Sequence, residues 1–428
     1  MNIQELIENL AKVAKPKYIK NYDDYKEGDF IQYSGQLWDE NEMYAAIDSL
    51  VNGKWVTSGE KVAQFQNKFA KMFQVKFAHM VNSGSSANLV MITSLKHYLK
   101  WKDDDEIIVS PVGFPTTIAP IVQNGMKAVF IDIELDSLNF DVDKIEAKIT
   151  DRTKGIFVSP VLGNPPDMDK LLSLCKKHDI LLIGDNCDSL GTKYNNKLIT
   201  EYYYCWSTSF YPAHHISTGE GGMVCSNDES YINIARSVSW WGRDCYCVGS
   251  NNLLECGTCG KRFDTWLNNY DGIIDHKYVF TTMGYNLKPL DMQGAIGIEQ
   301  LKKFDFIDTK RREYKLSVQR YIENYIKEVK VINATELADP SWFGVPIFCE
   351  SQTIKEKLVK HFEDNKIQTR NYFSGNILMH PGYEHLDDYK LYPNSNLALS
   401  NVFFIGCSPL WNNDILNYIE KVCKSWKN

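Results

Sequence analysis

The sequence predicts an α/β fold built on a largely parallel sheet, and three observations predict it. Between residues 75 and 225, short β-rich runs alternate with helical patterns. Several of those runs are apolar almost throughout, as strands covered on both faces are. The chain has 428 residues and a mass of 49.2 kDa, enough to bury a large core and to divide into two or three units of ordinary size.

In chain order, residues 1–13 read as a short amphipathic helix. A Tyr-rich, acidic stretch with Tyr22, Tyr25 and Tyr33 follows, and Gly53 and Gly59 mark the turn into a helix near 60–73. Residues 1–60 are expected to be peripheral. Strands are predicted at 106–111, 127–134, 155–161, 180–185, 203–210 and 222–226, with helices at 86–98 and 168–178 between them. Residues 227–282 are less regular and hold a Cys-rich stretch at 240–263. A long helical pattern occupies 290–325. Beyond it, a strand at 345–350 and helices at 353–364 and 413–426 suggest a smaller C-terminal α/β domain. The predicted division is an N-terminal segment (1–60), a large domain (61–328) and a small domain (329–428).

Composition narrows the function classes. Hydrophobic residues make up 44% and charged residues 24% of the chain, which excludes a disordered chain, a collagen-like fibre and a disulfide miniprotein. The net charge of −7 argues against broad nucleic-acid binding, although one local pocket can still bind a small anion. No apolar run reaches the roughly 18–20 residues of a membrane span, and Glu5 and Glu8 interrupt the N-terminal apolar stretch, so a cytoplasmic location is expected. In that reducing compartment the 11 cysteines should be thiols or metal ligands.

Three motifs carry chemistry. Asn82-Ser83-Gly84-Ser85-Ser86-Ala87-Asn88-Leu89 follows an apolar segment and opens a helix. Gly84 permits a tight turn, and the free N–H groups of a first helical turn bind anions; a plain Ser N-cap fits the same pattern. Asp185 ends an apolar strand, where α/β folds place ligands and where a carboxylate can pair with a protonated heterocyclic nitrogen; a helix N-cap is the commoner use of such an Asp. Finally, 207–222 runs from strand hydroxyls through Phe210 and Tyr211 to His214-His215 and a Gly-rich turn. Adjacent His side chains do not share a helix face, so one of them can be catalytic while the other is packed.

Together these residues resemble the DegT/DnrJ/EryC/StrS sugar aminotransferase family. The order Asn-Ser-Gly-Ser-Ser-Ala-Asn-Leu, strand-Asp185, Ser209-Phe210, then Gly219-Glu220-Gly221-Gly222-Met223-Val224 is the family's, and Gly284-Tyr285-Asn286-Leu287 with Met292-Gln293-Gly294-Ala295 matches a further family segment. The resemblance implies the aspartate-aminotransferase fold (fold type I), with a large, mostly parallel sheet of the seven-stranded type. It also implies pyridoxal phosphate or pyridoxamine 5′-phosphate (PMP) as cofactor. Where the aminotransferases carry the Lys that tethers the cofactor, this chain has His214. Without an amine nucleophile the cofactor is held non-covalently as PMP, and His214 can still move protons. That is the pattern of the nucleotide-sugar 3-dehydrases.

Two subclasses of these enzymes share the His, and the cysteines bear on the choice. Cys187 and Cys245 have 57 residues between them, followed by Cys247, Cys256 and Cys259. The flanks Trp241-Gly242-Arg243-Asp244 and Gly260-Lys261-Arg262-Phe263 resemble the iron–sulfur subclass, of the CDP-4-keto-6-deoxyglucose 3-dehydrase type. A 2Fe–2S cluster takes four thiolates. The flanks select Cys187, Cys245, Cys247 and Cys259; spacing from Cys247 alone favours Cys256 as the fourth. A Cys₄ zinc site satisfies the same pattern. The other six cysteines are expected to be ordinary buried residues.

The resemblance implies C3 dehydration of a nucleotide-linked 4-keto-6-deoxy sugar, giving a 3,6-dideoxy-4-keto sugar. A separate NAD(P)H-dependent flavin or iron–sulfur reductase would supply electrons, and the enzyme would be a homodimer. By resemblance, His214 is the catalytic base and Asp185 holds the pyridine nitrogen. Gly84, Ser85, Ser86 and Ser209 bind the phosphate, with Asn286 from a partner subunit. Phe114 stacks on the ring and Asp188 lies near the cofactor. Tyr211, His215, Arg370 and His380 are assigned to the substrate; relatives often carry Arg where Met379 stands, and His380 beside it is the candidate replacement. The alternatives are a metal-free GDP-4-keto-6-deoxymannose-type 3-dehydrase and a non-catalytic sugar-nucleotide-binding protein of the same fold.

Overall fold

The alternation of apolar runs and helices closes into one central sheet. The computed structural model describes residues 2–14, 24–245 and 260–427. The seven strands lie in the order Phe77–Val81, Gly222–Ser226, Cys205–Ser209, Leu181–Asp185, Thr153–Val158, Glu106–Val109 and Lys127–Phe130. Gly222–Ser226 is antiparallel to both neighbours, and every other pairing is parallel. This is the fold type I architecture. All six strands expected from the sequence are present. The seventh, Phe77–Val81, is an edge strand whose apolar residues precede Asn82.

Alternation along the strands explains the layers, because successive side chains leave opposite faces of a sheet. Ile108, Ile156 and Leu182 pack on one face with Phe65, Phe69, Leu171 and Leu301. Their neighbours Ile107, Phe157 and Ile183 pack on the other with Val90, Leu95, Ile118 and Ile232. The first set of helices is Glu60–Met72, Met168–His178 and the start of Asp291–Tyr325; the second is Gly84–Leu99, Pro115–Gln123 and Glu229–Ser239. Glu229–Ser239 lies in the part of the chain that reads as irregular.

A second, antiparallel sheet has the order Val329–Val331, Gly344–Cys349, Val402–Gly406, Thr369–Asn371. The 35-residue helix Asp291–Tyr325 spans about 50 Å at 1.5 Å per residue. Its first half packs on the large sheet through Leu301 and Phe304, and its second half packs on the small one through Val318 and Ile322. Arg311 falls between the two.

The N-terminal segment differs from the peripheral role expected of it. Ile31 is fully buried, the Tyr33 N–H donates to Gln368 Oε1 at 3.1 Å, and Ser34 Oγ donates to the Ala213 carbonyl at 2.8 Å. A helix, Glu40–Asn52, follows, with a capping box between Asp39 and Glu42. Asp-x-x-Glu before an amphipathic run is a start signal visible in the sequence. No helix among the described residues is long and apolar enough to cross a membrane.

Candidate active site

The carboxyl ends of the parallel strands open onto a cavity of about 460 Å³. Two strands of the large sheet and one helix packed on it build its polar wall. The helix Gly84–Leu99 starts on it, so Ser83, Gly84 and Ser85 present the unpaired N–H groups of a first turn to the cavity. The strand Cys205–Ser209 ends beside them. A Cβ at position 84 would lie 2.4 Å from Ser209 Cβ, so only glycine lets the two elements approach this closely. Ser86 is turned away into the N-cap, where its N–H donates to Ser83 Oγ at 3.0 Å and its hydroxyl accepts from the same oxygen at 2.9 Å. Ser85 and Ser209 are on the wall; Ser86 is not.

Asp185 ends the central strand and is 4% exposed. Its Oδ2 accepts from Asn88 Nδ2 at 2.8 Å and Thr117 Oγ1 at 2.7 Å, and its Oδ1 accepts only a longer bond, from the Cys187 N–H at 3.3 Å. One oxygen is thereby anchored and the other is left for a donor in the cavity. Phe114 stands at the rim, 53% exposed, with its ring 6.3 Å from that of Phe373.

His214 closes the far side, in the turn after the strand, where its backbone N–H donates to the Tyr211 carbonyl at 3.0 Å. Its Nδ1 is buried without a hydrogen-bond partner, 3.7 Å from Asp188 Oδ1. Burial, reinforced by the nearby Arg311 charge, pushes the imidazole down to about 3. Burial and the charge of Asp185 push the Asp188 carboxyl up to about 7. Both directions favour uncharged groups, so the His214–Asp188 contact is not an ion pair at neutral pH. The imidazole is a free base at rest.

Much of the remaining wall is aromatic, with Tyr33, Tyr211, Phe343 and Phe373, and Thr116, Ser159 and Glu220 add polar groups to it. The rings of Phe343 and His214 are 5.2 Å apart. Sequence reasoning misses Tyr33, Phe343 and Phe373, which arrive from the N-terminal segment and the C-terminal part with no local motif.

Other expected site residues lie off the cavity wall. His215 is buried, with Nε2 on the Ser341 carbonyl at 3.0 Å, so it packs behind the site instead of facing a substrate. His380 is exposed, and its Nε2 meets the Ser374 carbonyl at 2.8 Å. Arg370 stacks on Tyr33 at 4.8 Å and so stands one residue behind the wall. Asn286 accepts from Lys288 Nζ at 2.6 Å and does not line this cavity.

Of the cluster candidates, Cys187 lines the cavity, its thiol raised by burial and by Asp185. Cys245 is buried. Cys247, Cys256 and Cys259 lie outside the described residues. Among the described residues no group of three or more metal-ligating side chains forms. Cys175, Cys205, Cys225, Cys349, Cys407 and Cys423 are buried free thiols.

Residues 38–424 match the model of the DegT/DnrJ/EryC1/StrS aminotransferase family. The dTDP-4-dehydro-2,6-dideoxy-D-glucose 3-dehydratase of Saccharopolyspora spinosa is 36% identical over 399 residues, covering 91% of this chain and 85% of that one. The lipopolysaccharide biosynthesis protein RfbH of Salmonella typhimurium is 34% identical over 397 residues, covering 90% and 89%. Among solved structures, the GDP-4-keto-6-deoxy-D-mannose-3-dehydratase of E. coli with bound hydrated PLP superposes with a TM-score of 0.80 at 30% identity, covering 92% of this chain and 99% of that one.

Proposed function

The chain belongs to the DegT/DnrJ/EryC1/StrS aminotransferase family, and from that premise we propose that it is a pyridoxamine-phosphate-dependent 3-dehydratase of nucleotide-linked 4-keto-6-deoxy sugars. The observation that carries this reading is His214. It stands on the cavity wall, neutral and without a partner for Nδ1, where the family's aminotransferases carry their tethering Lys.

The residues present fit the cofactor. The first turn at Gly84 and Ser85, with the Ser209 hydroxyl, takes the phosphate. The free oxygen of Asp185 takes the protonated ring nitrogen, and Phe114 covers a ring face. When bound, pyridoxamine phosphate supplies a primary amine for the sugar ketone and a conjugated ring that accepts electrons as the C3 hydroxyl leaves. His214 takes the proton from the carbon that bears that amine. A Lys would compete as a nucleophile, whereas imidazole moves protons without forming the tether. Asp188, buried beside it, is the nearest group that can hold a proton in turn. Tyr33, Phe343 and Phe373 exclude water from the reacting face, and Arg370 behind Tyr33 is the C-terminal cation assigned to the substrate. Asn286 is assigned to the phosphate of a partner subunit in a homodimer.

Similarity to the GDP-4-keto-6-deoxymannose 3-dehydratases favours a form of the enzyme that needs no metal. A second reading, the iron–sulfur form acting with a separate reductase, is favoured by one observation: Cys187 lines the cavity two residues past Asp185, and Cys245 and Cys247 follow at the expected spacing. The deciding experiment purifies the protein anaerobically and measures iron, sulfide and visible absorption. It is then incubated with GDP-, CDP- and dTDP-linked 4-keto-6-deoxy sugars and pyridoxamine phosphate, with a reductase and NADH in one arm and an amino-acid donor in the other, and products are read by mass. Replacing the C3 hydroxyl by hydrogen while keeping the C4 ketone takes two electrons; without a reductase these would come from the cofactor's aminomethyl group, which the amino donor then restores. Loss of the C3 oxygen in protein free of iron and sulfide, with the donor alone, supports the metal-free form; turnover only in iron-containing protein with the reductase supports the second. No product in any arm overturns the dehydratase reading. His214→Asn should lower turnover by roughly 100- to 10,000-fold with cofactor affinity nearly unchanged.

A further inference from the structure

Arg311 reaches the site from behind. It sits mid-way along the helix Asp291–Tyr325 and is fully buried. Its Nη2 donates to the carbonyls of Ala213 at 3.0 Å and His214 at 3.3 Å, and to Ser34 Oγ at 3.4 Å. Its Nη1 donates to the carbonyls of Phe343 at 3.1 Å and Trp342 at 3.3 Å. Among the described residues it makes no ion pair. Burying a guanidinium on uncharged acceptors, chiefly backbone carbonyls, is costly for a residue that only fills space. What the planar fork provides is simultaneous hold on two separate backbone segments. One carries His214 and the other carries Phe343, whose ring packs on the imidazole. One turn further on, Lys315 lies 4.3 Å over the Trp342 ring and donates to the Ile332 carbonyl at 3.1 Å.

We propose that Arg311 is a positioning residue: its guanidinium clamps the Ala213–His214 turn to the Trp342–Phe343 segment and so sets the direction in which position 214 presents its side chain to the cofactor site. The proposal rests on the cofactor reading above for what the site holds. A brace that served stability alone would change how readily the protein unfolds but not how position 214 reacts.

The test uses the amine introduced by His214→Lys as a reporter of direction. That variant is mixed with pyridoxal 5′-phosphate, and covalent capture is followed over time by borohydride trapping and mass. Arg311→Met and Arg311→Lys are then added in the same background. Capture should slow by about 10- to 100-fold with Arg311→Met, since a displacement near 1 Å is enough for such a loss. It should slow less with Arg311→Lys, which keeps the charge and part of the hydrogen bonding. Non-covalent binding of pyridoxamine phosphate, measured with His214 in place, should stay within about twofold, because the phosphate and ring contacts come from other elements. Unchanged capture in either folded variant overturns the clamp, as does slowing that merely parallels a loss of cofactor affinity. If Arg311→Met does not fold, Arg311→Lys decides by the same criteria. If His214→Lys alone captures nothing, the cofactor reading itself fails, and the clamp with it.

Discussion

The wall of the cavity that comes from the large sheet and the wall that faces it hold their side chains by different means. Ser83, Gly84, Ser85, Asp185 and Ser209 sit where a strand ends or a helix begins, and hydrogen bonds fix them: Asn88 and Thr117 on Asp185, Ser83 on the helix start. Tyr33, Phe343 and Phe373 come from the N-terminal segment and the C-terminal part, and ring packing holds them: Tyr33 and Phe373 each lie on Phe343 at 6.3 Å. The first kind of wall suits a cofactor that must dock in one orientation. The second suits a substrate face that must be dry and can adapt. His214 belongs to both, since its turn follows the large sheet while Arg311 ties it to Phe343.

The largest effect that sharpens this contrast is expected at Asp185. Asp185→Ala leaves the Asn88 amide and the Thr117 hydroxyl without their acceptor in the core, at about 1–3 kcal/mol for each group left unpaired. Urea unfolding of the apo protein should therefore show a loss of several kcal/mol, and cofactor affinity should fall in parallel. Gly84→Ala comes next. Its Cβ would meet Ser209 Cβ at 2.4 Å, and the rearrangement should cost about 1–3 kcal/mol and weaken phosphate binding. Phe343→Leu, which removes part of a buried ring, should cost on the order of 1 kcal/mol and lower turnover while leaving cofactor affinity alone. If Phe343→Leu weakened the cofactor as much as Asp185→Ala does, the division of labour between the walls would be wrong.

The same contrast explains what could be read from the chain alone. Gly84, Ser85, Asp185 and Ser209 are legible because local rules place them: a Ser-Gly turn opens a helix, and an Asp after an apolar run ends a strand. His214 is legible only against the family's Lys. Tyr33, Phe343, Phe373 and Arg311 carry no such mark. Each depends on how the long helix brings the small sheet and the N-terminal segment against the large one, and a tertiary contact of that kind leaves no periodicity to read. Ser86 shows the converse: by sequence it reads as a phosphate ligand, whereas in the structure its N–H caps onto Ser83 Oγ, its hydroxyl accepts from the same oxygen, and it does not line the cavity.

A last effect, confined to acid pH, tests whether the hydrogen-bonded side of the molecule also carries acid sensitivity. His79 lies on the edge strand of the large sheet, buried, with Nε2 2.7 Å from Ser239 Oγ. Burial, with a smaller contribution from Arg236, pushes it down to about 3. In the unfolded chain a His binds its proton near pH 6.5. Between those values the unfolded state holds the proton and the folded state does not, so stability is present above pH 6.5 and falls as the pH drops toward 3. His79→Gln keeps a polar group for Ser239 and cannot titrate. It should remove up to about 1.4 kcal/mol per pH unit from the slope of unfolding free energy between pH 6 and 4, without abolishing that slope, because His214 and His215 are also buried neutral. An unchanged slope would mean that His79 is solvated or protonated in the folded protein, and would shift the acid sensitivity from the sheet edge to His214 on the cavity wall and His215 behind it.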